Sequence, residues 1–340
     1  MGNFAPHKKN EKSQLPKVVS LFCGAGGLDL GFCAEGFEIS LAIDVSEAAI
    51  QTHRRNFLDS RSVAANLIRL GPKGVLKQIQ ALVGRNERIG IIGGPPCQGF
   101  SRANTRAQAN DPRNKLPMLY LSIIRCLQEY YRVEFVVFEN VLGIRDKKHA
   151  KTYKAITDGL SKLGFRTAEN ELHALDFGVP QTRRRVVLIA IDEELGESNV
   201  IVKKRRGHQT VHDAIGNLPA PAYFSPSLDR SEIPVHPNHW TMQPRSAKFR
   251  NPRALRTNTR SFKRLSWELP SPTIAFGNRE IHVHPSGRRR LSIFEAMLLQ
   301  GFPRKFVLEG NLSEQVEQIS NAVPPPLARS VAAAVKAALM

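Results

Sequence analysis

Between Ile91 and Ser101 the chain reads IIGGPPCQGFS, which sets one thiol, Cys97, just past a buried run. The β-branched pair suits a strand end, the glycines allow close backbone approach to a ligand, and the prolines fix φ ahead of the cysteine. A thiol aimed in this way can serve as a nucleophile, although an isolated cysteine at a turn is more often a small buried hydrophobe. Two other stretches offer groups that could assist it. Glu139 closes the apolar run that starts at Glu134, and a carboxyl there can donate a proton or hydrogen bond; the plainer role is a cap or ion-pair partner. Gln181-Thr-Arg183-Arg-Arg185 precedes the run Val186 to Ile191. Alternation along an extended chain sets Arg183 and Arg185 on one face, unless the segment is simply a solvated basic edge.

A glycine-rich turn, Phe22 to Gly27 (FCGAGG), follows the apolar run from Val18 and opens a helix. Such turns bring backbone N–H groups to a ligand near a helix N-terminus. Asp29 stands where a dinucleotide fingerprint has its third glycine, which counts against a pyrophosphate. Asp44 ends the next strand, where a carboxylate can accept from ribose hydroxyls. A nucleoside cofactor without a pyrophosphate fits best, S-adenosylmethionine first among them.

These groups need strand ends to carry them. The spacing predicts strands at Val18 to Phe22, Ile39 to Ile43, Ile89 to Ile92, Glu134 to Phe138 and Arg185 to Ile191. Helices are expected at Glu47 to Arg55, Leu116 to Tyr131, Tyr153 to Leu163 and Leu327 to Met340, the last docking back on the first domain. The fold class is α/β: a doubly wound, mostly parallel, Rossmann-like sheet with a smaller, basic, β-rich domain. The expected division is a disordered tail at 1–14, a sheet-bearing domain at 15–195 plus 312–340, and a separate, smaller, basic lobe at 196–311.

The formal net charge of +19 in 340 residues calls for a polyanionic partner, nucleic acid first, and the clusters Lys203 to Arg206 and Arg288 to Arg290 strengthen that. Four cysteines without a CxxC pair argue for a reducing compartment and against a disulfide framework, and no metal site is expected, since His282 and His284 lack a third ligand. No apolar run approaches the ~18 residues of a membrane span, so the cytoplasm is the expected location.

Taken in order, the motifs resemble the C5-cytosine DNA methyltransferase family over nearly the whole chain. They are Phe22-x-Gly24-x-Gly26, Gly94-Pro-Pro96-Cys97-Gln98, Asp111-Pro-Arg113, Glu139-Asn140-Val141, Gln181-x-Arg183-x-Arg185, Arg289-x-Leu291-Ser292, Gln300-Gly-Phe-Pro303 and Gln318-Ile-x-Asn321-Ala-Val-Pro-Pro325. The resemblance implies Cys97 as nucleophile, Glu139 on the cytosine ring, Arg185 on the base carbonyl oxygen and Arg183 beside it. It implies an S-adenosylmethionine site from Phe22, Gly24, Ala25, Gly26, Gly27, Asp44, Val45, Asn66, Leu67, Gly94, Pro96, Leu116, Asn321, Ala322 and Val323. Gln98, Ser101, Arg264, Arg279 and Arg289 are the expected contacts to double-stranded DNA. Asn66 replaces the family's usual Asp facing the adenine amino group, Ser320 a common Gly, Pro117 a common aromatic, and Phe294 and Leu298 usual arginines. A stand-alone, monomeric bacterial enzyme paired with a restriction endonuclease is the expected setting. A tRNA cytosine methyltransferase and a silent nucleic-acid-binding relative stay open as alternatives.

Overall fold

The computed structural model describes residues 15–96, 115–195, 200–204, 207, 209–251, 262–274 and 282–340. The first five strands are β1 (Lys17–Leu21), β2 (Ile39–Asp44), β3 (Arg61–Ala64), β4 (Arg88–Gly93) and β5 (Arg132–Asn140). Helices α1 (Gly27–Ala34), α2 (Glu47–Asn56), α3 (Leu67–Gln80) and α4 (Leu116–Gln128) alternate with them. After α5 (Ala150–Lys162) come β6 (Phe165–His173), the short β7 (Gln181–Thr182) and β8 (Arg184–Asp192). The seven-stranded sheet has the order β3-β2-β1-β4-β5-β8-β6. Strands β1 to β5 run parallel, and β8 runs antiparallel to both β5 and β6. The order reverses between β1 and β4, which opens a crevice beyond the carboxyl ends of those strands.

Alternation assigns the two faces. Val19, Leu21, Ile91, Val136 and Phe138 bury against α3, α4 and α5, while Val18, Ile92, Phe135 and Val137 bury on the other side with Phe32 of α1. That second face is completed by α9 (Pro325–Leu339), through Leu327, Ala328, Val331, Ala332 and Val335. The helices approach closely because Gly31 has no side chain; a Cβ there would lie 2.3 Å from the Ala328 carbonyl carbon. Both faces being covered, the strands read as continuous apolar runs.

Among the elements that sequence reasoning missed are three of the core. β6 is an edge strand whose polar alternation (FRTAENELH) hides it, β3 has four residues, and Gly71-Pro72 interrupt α3 with a kink at Gly71.

Beyond β8 the chain keeps contact with the sheet further than the composition change at residue 195 suggests. Asn170 of β6 donates to the Val200 carbonyl and accepts from the Val202 amide, and both valines bury beside Ile189 and Ile191. The second lobe contains α6 (Val211–Ile215), β9 (Ala222–Tyr223), β10 (Trp240–Thr241), β11 (Ser271–Pro272) and α7 (Ile293–Leu299). Among its described residues the strands are two residues long, and the chain between them packs on an aromatic and aliphatic cluster. That cluster, with Trp240, Phe294, Phe302 and Phe306, also takes in Ala25, Phe57 and Ile319 of α8 (Leu312–Asn321), joining the lobes.

Candidate active site

At the end of β1, Phe22 and Gly24 adopt left-handed backbone (φ 56° and 53°), a conformation that is strained for Phe22 and free for glycine. The turn is held by Asp44: its carboxylate accepts from the Gly24 amide at 2.9 Å and from the Ser46 amide at 2.9 Å. Burial pushes this carboxyl above its ordinary range, opposed by those N–H groups. Beneath the turn, Asp29 of α1 sits 3.0 Å from His53 Nε2, and His53 Nδ1 lies 2.7 Å from Ser62 Oγ. Cys23, Asp29 and His53 bring ligand-type atoms within 4.8 Å of one another, a grouping the sequence did not reveal. Both imidazole nitrogens are bonded and the ring stacks on Phe57 at 4.0 Å, so the group acts as a brace between α1 and α2.

The crevice holds a cavity of about 480 Å³. Of the residues expected around the cofactor, Phe22, Gly24, Gly27, Asp44, Val45, Asn66, Leu67, Gly94, Pro96, Leu116, Asn321, Ala322 and Val323 line it. Ala25 and Gly26 do not. Ala25 is buried in the inter-lobe cluster, and a Cβ on Gly26 would meet the Phe57 ring at 2.4 Å. Gly27 leaves room for the opposite wall, since a Cβ there would fall 2.4 Å from the Val323 carbonyl oxygen. Val45 and Ile68 show unusually exposed apolar side chains at the lining, 69% and 50% accessible. The Ser20 hydroxyl also belongs to the lining and is buried without a hydrogen-bond partner. Asn66 caps α3, its side-chain oxygen accepting from the Ile68 and Arg69 amides. The side-chain oxygen is therefore committed to the helix, and the amide leaves a donor where the family's usual Asp would offer an acceptor.

Glu139 and Arg185 meet across the β5–β8 pair, with Arg185 Nε 2.8 Å from Glu139 Oε1, and both side chains line the same cavity. Space for the carboxylate depends on Gly94, where a Cβ would lie 2.7 Å from Glu139 Oε2. Asn140, unremarked in the sequence beyond its motif, donates to the Pro95 carbonyl at 3.1 Å and accepts from the Val141 amide. It pins the segment Gly94–Pro96 that runs into Cys97. Cys97 itself lies outside the described residues. Arg183 falls between β7 and β8, with Arg184 exposed between it and Arg185, and its buried guanidinium donates to the Ser320 carbonyl at 2.9 Å. Arg183 thus ties β8 to the turn bearing Asn321, while Arg185 alone of the two lines the cavity.

The expected DNA contacts divide. Gln98, Ser101 and Arg279 lie outside the described residues. Arg264 spends its Nε on the Pro285 carbonyl at 2.8 Å. Arg289 forms a two-pronged pair with Glu295 at 2.7 and 2.8 Å, its side chain 12% exposed, and Glu295 in turn accepts from the Ser292 amide to cap α7. Burial works to raise the Glu295 carboxyl, and the Arg289 pairing outweighs it and holds the group below its ordinary range. In this structure Arg289 braces the second lobe and does not present a free cation to DNA.

A family model described as C-5 cytosine-specific DNA methylase matches residues 16–337. The chain is 34% identical over 331 residues to the Type II methyltransferase M1.HphI of Haemophilus parahaemolyticus, covering 93% of this chain and 86% of that one. It is 31% identical to the Type II methyltransferase M.MthTI of Methanothermobacter thermautotrophicus, covering 94% and 96%. Among solved structures, a DNA modification methyltransferase encoded within an E. coli prophage superposes with a TM-score of 0.79 at 25% identity, over 96% of this chain and 99% of that one. The DNMT2 of Spodoptera frugiperda shares the fold with a TM-score of 0.65 at 18% identity, over 95% and 100%. With motif order, sheet topology and crevice in agreement, the chain belongs to the C-5 cytosine-specific DNA methylase family.

Proposed function

We propose that this DNA methyltransferase transfers a methyl group from S-adenosylmethionine to C5 of a cytosine flipped out of a specific short duplex sequence, through a covalent bond between Cys97 and C6. The observation that carries the reading is one cavity lined both by the Asp44-held glycine turn and by the Glu139–Arg185 pair, with Pro96 leading directly into Cys97. The lining suits the cofactor: Val45, Ile68 and Leu116 offer apolar faces to a purine, Asp44 can accept from ribose hydroxyls, and the unpartnered Ser20 hydroxyl awaits a polar group. When bound, S-adenosylmethionine supplies an electrophilic methyl.

The residues of the chain prepare the base to receive it. Cytosine C5 is a weak nucleophile. Addition of the Cys97 thiolate to C6 forms an S–C6 bond and moves the ring electrons toward C5. Glu139 holds a proton or strong hydrogen bond at N3, and Arg185 stabilises charge on O2. After methyl transfer, loss of the C5 proton restores the double bond and expels the thiolate. Arg183 and Asn140 act at one remove, by fixing the Ser320 turn and the Pro95 segment. The target base must leave the stack, at a few kcal/mol. Type II naming of the relatives supports protection of host DNA from a partner restriction endonuclease.

A duplex bearing 5-fluorocytosine tests the covalent step, because fluorine at C5 cannot leave as a proton does. A denaturation-resistant protein–DNA adduct that requires the cofactor and disappears in Cys97→Ser is expected. Turnover on ordinary cytosine without any trapped adduct would rule out the covalent route.

A further inference from the structure

We infer that Lys147, Lys148 and Lys151 form a phosphate-gripping surface on the sheet-bearing lobe, which holds the backbone of the substrate duplex apart from the second lobe. The inference rests on DNA being the substrate. β5 carries Glu139 and Asn140 at its carboxyl end, and the chain passes at once through two 3-10 turns, Leu142–Arg145 and Lys147–His149, into α5. Ile144 anchors this passage in the core, so the lysines emerge from rigid structure close in sequence to the catalytic end of the sheet.

Three observations set them apart from an ordinary solvated face. All three are exposed, and none of their side chains forms an ion pair or hydrogen bond with a described residue. The neighbouring cations are already neutralised: Arg145 by Glu169 and Glu171, Lys154 by Asp158, Arg184 by Glu171. The lysines also flank the start of α5, whose first turn holds no acidic residue. Helix N-termini carry partial positive charge and favour anions, so lysines here oppose local stability and concentrate positive potential. A polyanion offsets that cost. A phosphate backbone fits, because it presents charges at regular short spacing and releases counterions on contact.

The test is the salt dependence of duplex binding, measured from about 50 to 200 mM salt, for the full chain and for K147Q/K148Q/K151Q. Each phosphate contact contributes about 0.9 to the slope of log affinity against log salt, so the triple variant is expected to lose about 2 to 3 of that slope and roughly ten- to a hundredfold in affinity. K147R/K148R/K151R keeps the charge and is expected to keep the slope. Calorimetric binding of S-adenosylmethionine, unchanged in both, shows that the fold is intact. An unchanged slope in the Gln variant would overturn the inference and leave the DNA reading standing. So would an equal loss per lysine in K73Q/K77Q on α3, since that would mark diffuse attraction. A wild-type chain that fails to bind duplex DNA would remove the substrate reading, and this inference with it.

Discussion

At the scale of single residues, the division between groups that touch substrate and groups that position them yields separable expectations. Glu139→Gln keeps the size of the side chain and its place beside Arg185 but removes the carboxyl that manages the proton at N3. Single-turnover methyl transfer is expected to slow by roughly 10²- to 10⁴-fold, with S-adenosylmethionine affinity changed by no more than a few fold. Equal losses in rate and affinity would return Glu139 to a structural role. Asn66→Asp would keep one oxygen on the α3 cap and add a second acceptor, where Asn66 now leaves an amide donor. Severalfold tighter calorimetric binding of S-adenosylmethionine is expected, and unchanged affinity would show that position 66 does not face the adenine. Much of this site was legible as residue types, because a thiol, a carboxyl and arginines at strand ends announce their chemistry. Their partners were not legible. The Arg183 bond to Ser320 and the Arg289 bond to Glu295 depend on which long side chain finds which acceptor across the fold, and local spacing carries no such information.

At the scale of elements, the buried strands were readable because both sheet faces are covered and the runs are continuously apolar. Edge strand β6 escaped for the opposite reason: its outer residues are polar, and its place is set by pairing with β8, whose nine-residue ladder includes Leu172 opposite Arg185. The contact of α1 with α9 turns on a missing side chain. Gly31→Ala places a methyl against backbone of Ala328, which cannot move as a side-chain tip can. A loss of roughly 1–3 kcal/mol is expected, read as a lower urea midpoint with unchanged slope. Stability equal to wild type would mean that α9 is free to shift.

At the scale of the whole molecule, the second lobe, joined to the sheet through the cluster that takes in Ala25 and Phe57, carries buried histidines of its own. His236 stacks on Phe294 at 4.1 Å and its Nδ1 accepts the Asn238 amide, while His284 Nδ1 accepts the Ser286 amide. Burial lowers both imidazoles from 6.5 to about 4. Their folded values lie below the unfolded one, so the unfolded chain binds more protons between about pH 6.5 and 4, and stability falls as pH drops through that window. Thermal melting followed from pH 7 to 4.5 is expected to decline, with a shallower decline in His284→Asn. A flat profile would contradict the burial argument. The central claim concerns chemistry and substrate together, and transfer of labelled methyl from S-adenosylmethionine tests both. Unmethylated duplex DNA and tRNA would be assayed in parallel, with the Cys97→Ser chain alongside. Label in duplex cytosine, absent with Cys97→Ser, is the result expected; label confined to tRNA, or undiminished in the Cys97→Ser chain, would contradict the account.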